Sequence, residues 1–403
     1  VNLVAVTLVG ALRLLVAPVR GDAELGVVVH LVRAHLHLEG TTLQGHDRGV
    51  QRLDTARAAG VEAVELDGLD PADGDDDSDA GAKIHQRAAR MAVLNAPRIR
   101  DLAPDLVVSD VITACGGLAA ELLGVPWVEL NPHPLYLPSK GLPPVGSGLA
   151  PGVGLRGRLR DAALRALTAR ALRAGQRQRS EARTRIGLPA ADPGPLRRLI
   201  ATLPALEVPR PDWPSEAVVV GPLHFEPTSA TLSVPPGSGP VVVVAPSTAT
   251  TGAGGLAELA LDRLRPGDTL PAGARVVVSR LAGPDTEVPP WAVVGLGRQD
   301  ELLTRADLVI CGGGHGMVSK TLLAGVPMVV VPGGGDQWEI ANRVVRQGSG
   351  RLVRPLTGDA LVAAVGTVLS DPGYRAAARR AGASVADVED PVRVCQEALI
   401  GSA

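Results

Sequence analysis

Short runs of valine and other apolar residues, separated by longer stretches rich in alanine, leucine and arginine, are the feature that most constrains the fold of this chain. Residues 241–244 are four consecutive valines, and residues 328–331 are one methionine followed by three valines. Strands without polar residues suit a parallel sheet that helices cover on both faces, and the intervening stretches are typical of those helices. The alternation therefore predicts an α/β fold built from parallel sheets.

Two groups of such runs divide the chain into two halves. With 403 residues, the chain has the length of two domains, each large enough for its own core. We expect strands at Leu12 to Ala17, 41–46, 61–66, 105–110 and 125–130 in the first half, and at 240–247, 274–280, 291–296, 306–313 and 326–334 in the second. We expect helices at 26–35, 48–60, 116–123, 155–186 (one or two helices), 316–325 and from Ala376 onward, and a loop over the Pro/Gly-rich residues 132–154.

The predicted architecture is therefore two Rossmann-like, parallel-sheet domains that face a cleft. Residues 1–210 form the first domain, 211–239 a Pro-rich linker, 240–385 the second domain, and 386–403 a C-terminal helix that could cross back to the first domain. Ligands of open α/β sheets bind beyond the carboxyl ends of the strands, so we expect the functional site in the cleft.

Composition excludes several classes of function. The chain has 40 basic and 42 acidic residues and only 2% aromatic residues, which argues against a nucleic-acid partner. Its three cysteines lie far apart, as expected of a cytoplasmic protein without a zinc site or disulfides. The acidic run 70–79 lacks the spacing of a calcium loop, so we predict no metal. No uninterrupted apolar run is long enough for stable membrane insertion.

The strongest chemical signal is a glycine-rich turn between a predicted strand and a predicted helix. The strand ends at Cys311, Gly312 to Gly314 and Gly316 follow, and the helix begins at once. Glycines let the backbone turn tightly and approach a ligand closely. The free amides and the positive dipole end of the helix favour an anion, most naturally a phosphate.

A second glycine turn follows the next strand. Residues 332–335 are Pro-Gly-Gly-Gly, and Asp336 and Gln337 come directly after them. Because neighbouring parallel strands end at the same edge of a sheet, this carboxylate and amide should face the same cleft as the first turn. Such a pair suits the hydroxyls of a sugar.

Residues 306–350 resemble the donor-binding signature of GT-B glycosyltransferases, which include plant UDP-sugar transferases and bacterial antibiotic glycosyltransferases. The positions that match the signature are Gly313, Gly314, Gly316, Gly325, Val326, Pro327, Pro332, Asp336, Gln337 and Asn342. The resemblance implies a cytoplasmic enzyme of bacterial secondary metabolism, a monomer or homodimer. It would move a hexose-type sugar from a nucleoside-diphosphate donor, such as a UDP-sugar, to a hydroxyl of a small-molecule acceptor. The reaction would be inverting and metal-independent, with the nucleotide-sugar as co-substrate and no further cofactor.

The resemblance also implies roles for individual residues on the donor side. Asp336 and Gln337 would contact the donor sugar. The diphosphate would be held by the turn and helix start (Gly313, Gly314, His315, Gly316 and Met317), with Ser247 and Thr248 as a second contact. Gln299 and Lys320 would border the nucleoside.

The chain departs from the family pattern at three donor-site positions. The phosphate-binding His of the family falls on Gly312, its Thr on Met317 and its ribose-binding Glu on Lys320. His315 could replace the missing imidazole, and Lys320 could supply positive charge toward the diphosphate. An exposed position on the helix is the alternative for Lys320.

The acceptor side offers three candidate catalytic residues. Asp110, after the strand at 105–110, matches the carboxylate that orients the family's general base. The loop after the first strand lacks the family's His, so Asp22 could act as the base or merely cap the following helix. His133, after the strand at 125–130, could reach the cleft or could pack within its loop.

Other functions remain as alternatives. The lost family positions also fit a degenerate, non-catalytic protein that binds a nucleotide-sugar without transferring it. A nucleotide-sugar epimerase would need paired carboxylates beside the sugar, and a NAD dehydrogenase would need glycines in the first βα turn, which is glycine-poor here.

Overall fold

The computed structural model describes residues 3–9, 12–16, 63–64, 66–68, 80–224, 226, 228–248, 252–280 and 287–401. These residues form two α/β halves, each built around its own sheet with mostly or entirely parallel strands. This architecture confirms the predicted fold class. Asp22, the expected elements at 26–35, 41–46 and 48–60, and the acidic run 70–79 lie outside the described residues.

The first sheet has seven strands in the order β3-β2-β1-β4-β5-β6-β7. Its strands are β1 (Leu3–Val9), β2 (Leu12–Val16), β3 (Ala63–Val64), β4 (Leu106–Asp110), β5 (Trp127–Asn131), β6 (Arg198–Ile200) and β7 (Ala217–Val219). Neighbouring strands from β1 to β7 are parallel. β7 falls within residues 211–239, so part of the expected linker stretch is a strand of this sheet.

The expectation for the first strand is wrong. The chain enters the sheet at Leu3 in β1, and Leu12–Val16 returns beside it as the antiparallel strand β2. β3 also pairs antiparallel, with β2, so this edge of the sheet departs from the all-parallel prediction. The composition explains why β1, and not β2, pairs with the parallel strand β4. Residues 3–9 are uncharged and suit an inner strand of the sheet, whereas β2 contains Arg13.

Among the described residues of the first half, which we call the first lobe, three helices accompany the sheet. They are α1 (Ala80–Asp101), α2 (Cys115–Leu123) and α3 (Gly154–Arg185). Met91 and Ile99 of α1 pack with Cys115 and Trp127 in one buried cluster. Residues 132–153 contain no helix or strand, as expected, and this stretch reaches toward the second half of the chain.

The second sheet is parallel throughout, with six strands in the order β10-β9-β8-β11-β12-β13. Its strands are β8 (Val241–Ala245), β9 (Arg275–Ser279), β10 (Ala292–Gly295), β11 (Leu308–Cys311), β12 (Met328–Val330) and β13 (Gly350–Leu352). Val241 and Val243 belong to one buried cluster and Val242 and Val244 to another. The valine run is therefore buried on both faces of the sheet, as its composition predicts.

Five helices accompany the second sheet, and we call this half the second lobe. They are α4 (Leu256–Arg263), α5 (Gln299–Arg305), α6 (His315–Leu323), α7 (Gln337–Gln347) and α8 (Gly358–Ser370). Two of them, α6 and α7, begin directly after the two glycine turns and so carry the candidate site.

The end of the chain returns to the first lobe. It contains α9 (Pro372–Ala383), a 3₁₀ turn (Ser384–Asp387) and α10 (Pro391–Ile400). The amide of Glu389 donates to the carbonyl of Val219 in β7 over 3.0 Å, which confirms the expected crossing back. Within the part of the chain that the structure describes, no helix combines the length and the apolar character that a membrane span requires.

Candidate active site

The first glycine turn joins the central strand of the second sheet to α6. β11 lies between β8 and β12, and Gly313 in the turn has φ of +83°. A Cβ atom on Gly313 would lie 2.8 Å from Cγ1 of Val330, and one on Gly312 would lie 2.7 Å from Cβ of Ser247. Both positions need glycine, because only glycine lets the ends of the neighbouring strands approach the turn this closely.

The start of α6 supplies main-chain donors to this edge of the sheet. Gly314 is the N-cap residue, with extended φ and ψ of −62° and 139°. The amide of Val318 makes a hydrogen bond to the Gly314 carbonyl over 3.1 Å. The amides of Gly316 and Met317 precede that bond, and the first amides of an α-helix have no partner within the helix. Such amides and the positive end of the helix dipole favour an anion, and the binding of the donor diphosphate at this turn stays a prediction.

Gln337 connects the two glycine turns. Its Nε2 donates to Oγ of Ser247 over 2.9 Å, and its Oε1 accepts from the Gly333 amide over 2.9 Å. The side chain is only 4% exposed. Gln337 therefore braces the site, and its expected contact with the donor sugar stays a prediction. Asp336 is exposed at the N-cap of α7, where its carboxylate can accept hydrogen bonds from a ligand.

Thr248 follows β8, and its hydroxyl is buried without a hydrogen-bond partner among the described residues. A buried hydroxyl in a native site rarely stays unpaired, because leaving it so is destabilising. This arrangement fits the expected role of Thr248 as a contact to the diphosphate, with Ser247 beside the turn.

His315 and Met317 do not present their side chains to an open turn. His315 is 6% exposed, and its Nε2 lies 2.8 Å from Oγ1 of Thr202 in the first lobe. Met317 is buried in the apolar core of the second lobe. A contact of His315 or Met317 with the donor diphosphate, whether through the main chain or through the imidazole of His315, stays a prediction.

The two residues expected at the nucleoside lie side by side, with a partner that the sequence did not indicate. Nζ of Lys320 lies 2.5 Å from Oε1 of Glu226 and 3.3 Å from Oε1 of Gln299. The other oxygen of Glu226 accepts from the Gln299 amide over 3.0 Å. The lysine is thus part of a half-buried ion pair and is not simply exposed on its helix. No local sequence pattern indicates Glu226 as the partner, because it lies 94 residues before Lys320 in the chain.

Asp110 ends β4 at the carboxyl edge of the first sheet. It is 3% exposed, and its Oδ1 accepts from the Ile112 amide over 2.7 Å. It pairs in register with Leu130 of β5, so the loop that carries His133 begins at the same edge.

The hydrogen bond of His133 defines its tautomer, and its burial shifts its pKa. Its Nδ1 lies 2.8 Å from the Pro134 carbonyl oxygen, which can only accept, so Nδ1 carries the proton and Nε2 the lone pair. Burial lowers the pKa of His133, while the hydrogen bond to Pro134 and the charge of Asp336 oppose the shift and Arg343 reinforces it. The ring therefore stays neutral at neutral pH, with a carboxylate of the second lobe nearby.

A buried network holds α7 of the second lobe against the first lobe. Nη1 of Arg343 donates to the Leu206 carbonyl over 2.7 Å, and its Nε lies 3.3 Å from Oε1 of Glu339. The other oxygen of Glu339 accepts from the Gly148 amide over 2.9 Å. Trp338 also donates to the Ser147 carbonyl over 3.2 Å. No local sequence pattern indicates this network, because its partners lie far apart in the chain.

Comparison with known proteins identifies relatives of this chain. Residues 279–399 match the family model of the erythromycin biosynthesis protein CIII-like C-terminal domain. The chain is 30% identical over 302 residues to 4'-demethylrebeccamycin synthase from Lentzea aerocolonigenes, a match that covers 70% of each protein.

Solved structures share the fold over nearly the whole chain. The glycosyltransferase of kitacinnamycin is 21% identical, with a TM-score of 0.67 and coverage of 98% of this chain and 97% of that one. Spinosyn rhamnosyltransferase SpnG, solved with spinosyn aglycone, is 18% identical, with a TM-score of 0.63 and coverage of 98% and 99%. The same enzyme solved with thymidine diphosphate gives a TM-score of 0.59 at 19% identity, over 86% of this chain and 89% of that one. The chain belongs to the bacterial antibiotic glycosyltransferases of the GT-B fold.

Proposed function

We propose that this enzyme transfers a hexose-type sugar from a nucleoside-diphosphate donor to a hydroxyl of a small-molecule acceptor, with inversion and without a metal ion. The observation that carries the proposal is the pairing of two features, one from each lobe. Against the larger lowering by burial, the charge of Asp336 in the second lobe raises the pKa of His133 in the first lobe. Asp336 follows the second glycine turn and is the N-cap residue of α7.

The donor would bind along the edge of the second sheet. Its diphosphate would accept hydrogen bonds from the amides at the start of α6 and from Ser247 and Thr248, and its sugar would lie against Asp336. The nucleoside would extend toward Lys320 in α6 and Gln299 at the start of α5, whose side chains lie 3.3 Å apart. The complex of SpnG with thymidine diphosphate supports a nucleoside-diphosphate sugar as the donor.

The acceptor would bind on the side of the first lobe. Nε2 of His133 takes the proton of the acceptor hydroxyl, and the oxygen of that hydroxyl attacks the anomeric carbon of the donor sugar. The bond from that carbon to the diphosphate oxygen breaks, and the nucleoside diphosphate leaves with the electron pair. One displacement inverts the anomeric centre. The amides at the start of α6 stabilise the negative charge that grows on the leaving group.

Asp110 and Asp22 have supporting parts in the proposal. Asp110 would orient the general base from the carboxyl end of β4. Its carboxylate accepts a hydrogen bond from the Ile112 amide at the start of the following turn. Asp22 remains a candidate base from the sequence alone, and it competes with His133 for that role.

A binding assay followed by a turnover assay tests the proposal. Uridine and thymidine diphosphates and their glucose conjugates are screened for a rise in melting temperature, because a ligand that binds only the folded state stabilises it. The conjugate that binds is then incubated with the protein, and slow release of glucose is followed by mass spectrometry. We expect one nucleotide series to raise the melting temperature and its glucose conjugate to be hydrolysed slowly.

Two variants separate the parts of the proposal. Gly314→Trp places a large side chain at the start of α6 and should abolish stabilisation by the nucleotide. His133→Asn should keep nucleotide binding and lose hydrolysis. Binding without any turnover by the native protein would instead identify a non-catalytic nucleotide-sugar binder.

A further inference from the structure

Tyr136 lies three residues after His133 in the loop that follows β5, and both lobes hold its ring in place. The ring stacks on the His133 imidazole, with centroids 4.5 Å apart and an interplanar angle of 20°. The guanidinium carbon of Arg343, from α7 of the second lobe, is 5.6 Å from the centroid of the same ring. A cation at this distance is attracted to the ring face. The orientation of Tyr136 is therefore fixed at the junction of the two lobes.

The hydroxyl of Tyr136 is buried and has no hydrogen-bond partner among the described residues. Burial raises the pKa of Tyr136 well above its usual value, and the negative charges of Asp336, Glu339 and Glu207 add to the shift while Arg343 opposes it. The phenol is therefore neutral and carries a proton to donate. An unpaired buried hydroxyl is rare in native proteins and calls for an explanation.

Two other side-chain hydroxyls share this property, and their positions supply the explanation. Thr113 and Thr248 are also buried without a partner in the described part of the chain. Thr113 follows β4, Tyr136 follows β5 and Thr248 follows β8. All three therefore come after the carboxyl ends of parallel strands, where open α/β sheets bind ligands.

The geometry points to Tyr136 as a ligand-contacting residue: its hydroxyl donates a hydrogen bond to an oxygen of the molecule bound between the lobes. That oxygen belongs to the transferred sugar or to the acceptor, both of which are rich in hydroxyl oxygens. The inference rests on the proposed function, since it needs a sugar or an acceptor in the cleft. It adds a contact between the bound ligand and a residue that touches the proposed base. The hydroxyl of Tyr136 donates to the ligand, and its ring stacks on His133.

Tyr136→Phe removes only the oxygen, and Tyr374→Phe is the matched control. The chain has two tyrosines, and Tyr374 packs against the apolar core of the second lobe. In the absence of ligand we expect Tyr136→Phe to melt at or slightly above the temperature of the native protein, because it removes an unpaired buried hydroxyl. A clear fall in melting temperature without ligand would show that the hydroxyl has a structural partner, which contradicts the inference.

Binding and turnover then identify the oxygen that Tyr136 contacts. Thymidine and uridine diphosphate should bind Tyr136→Phe as they bind the native protein. A loss of about tenfold in affinity for the glucose conjugate alone would assign the contact to the sugar, since one hydrogen bond is removed. Unchanged donor binding with faster hydrolysis relative to transfer, measured on a panel of hydroxylated aglycones including spinosyn aglycone, would assign it to the acceptor.

The two ideas fail in distinguishable ways. If the native protein binds no nucleotide and transfers no sugar, the proposed function and this inference both fall. If the native protein is active and Tyr136→Phe matches both it and Tyr374→Phe in donor affinity and in transfer, only the inference about Tyr136 is wrong.

Discussion

Asp336 in the second lobe acts on the imidazole of His133 in the first lobe, so the candidate base and the candidate sugar contact share one electrostatic environment. Asp336 is the N-cap residue of α7, and the same helix carries Arg343, whose opposite charge also acts on His133. The pKa of His133 in the first lobe is therefore influenced by charges on a helix of the second lobe. This arrangement requires the two lobes to be in contact, which the network around Glu339 and Gly148 provides.

The base can be tested by its pH dependence. Burial lowers the pKa of His133, and a general base works only when it is unprotonated. Turnover should therefore be constant near neutral pH and fall only when the pH drops below the usual histidine range of about 6.5. We expect kcat/KM to lose its acidic limb in His133→Asn, with residual activity independent of pH. An unchanged acidic limb in that variant would assign the base to another residue, with Asp22 as the first candidate.

Asp336→Asn should lower the pKa of His133 further. The carboxylate favours the protonated imidazole, so its removal favours the neutral form. An NMR titration of histidine labelled at the ring carbon, with His133→Asn to assign the resonance, measures this shift without any substrate. A rise in the pKa of His133 in Asp336→Asn, or no change, would show that the two groups do not interact.

Gly148 provides a test of the contact between the lobes. It has φ of +66°, and a Cβ atom there would overlap Nε1 of Trp338. Gly146 is the matched control, since it has φ of +82° and a Cβ atom there would meet no other atom within 4 Å. Both alanine variants suffer the backbone strain of about 1 kcal/mol, whereas Gly148→Ala adds a clash of roughly 1–3 kcal/mol. Urea unfolding of the two variants should therefore differ by that amount, and equal losses would mean that the loop does not lock onto α7.

The ion pair between Lys320 and Glu226 should show strong coupling in a double-mutant cycle. Their side chains are 12% and 13% exposed, so removing one partner leaves the other charge half-buried. Lys320→Met alone should cost about 3 kcal/mol of unfolding free energy, and Glu226→Gln added to it should restore part of the loss. If the two effects simply add, the pair makes no specific contribution.

The sequence predicted the elements well where the pattern was local. The valine runs from β8 to β12 were placed within a few residues, because strands buried on both faces consist of apolar residues. The glycine turn before α6 was placed equally well, because a left-handed backbone favours glycine. The first strand was misplaced because residues 3–9 and 12–16 are both apolar, and only their pairing in the sheet separates a central strand from an edge hairpin.

The side-chain partners of the candidate site could not be predicted from the sequence. Thr202 and His315 are 113 residues apart, and Lys320 and Glu226 are 94 apart. Such pairs depend on how the lobes and the intervening segment pack, which no local pattern encodes. The same holds for Gln337, whose sequence neighbourhood suggests a ligand contact while its amide bridges Ser247 and Gly333.

Calorimetric titration with a nucleoside and its diphosphate tests the central claim most directly. Uridine and thymidine are each compared with their diphosphates, using the native protein and Gly314→Trp. If the amides at the start of α6 hold the diphosphate, one diphosphate should bind at least about a hundredfold more tightly than its nucleoside, as expected of several charge-assisted hydrogen bonds. That preference should vanish in Gly314→Trp. Equal binding of nucleoside and diphosphate, or an undiminished preference in the variant, would contradict the account.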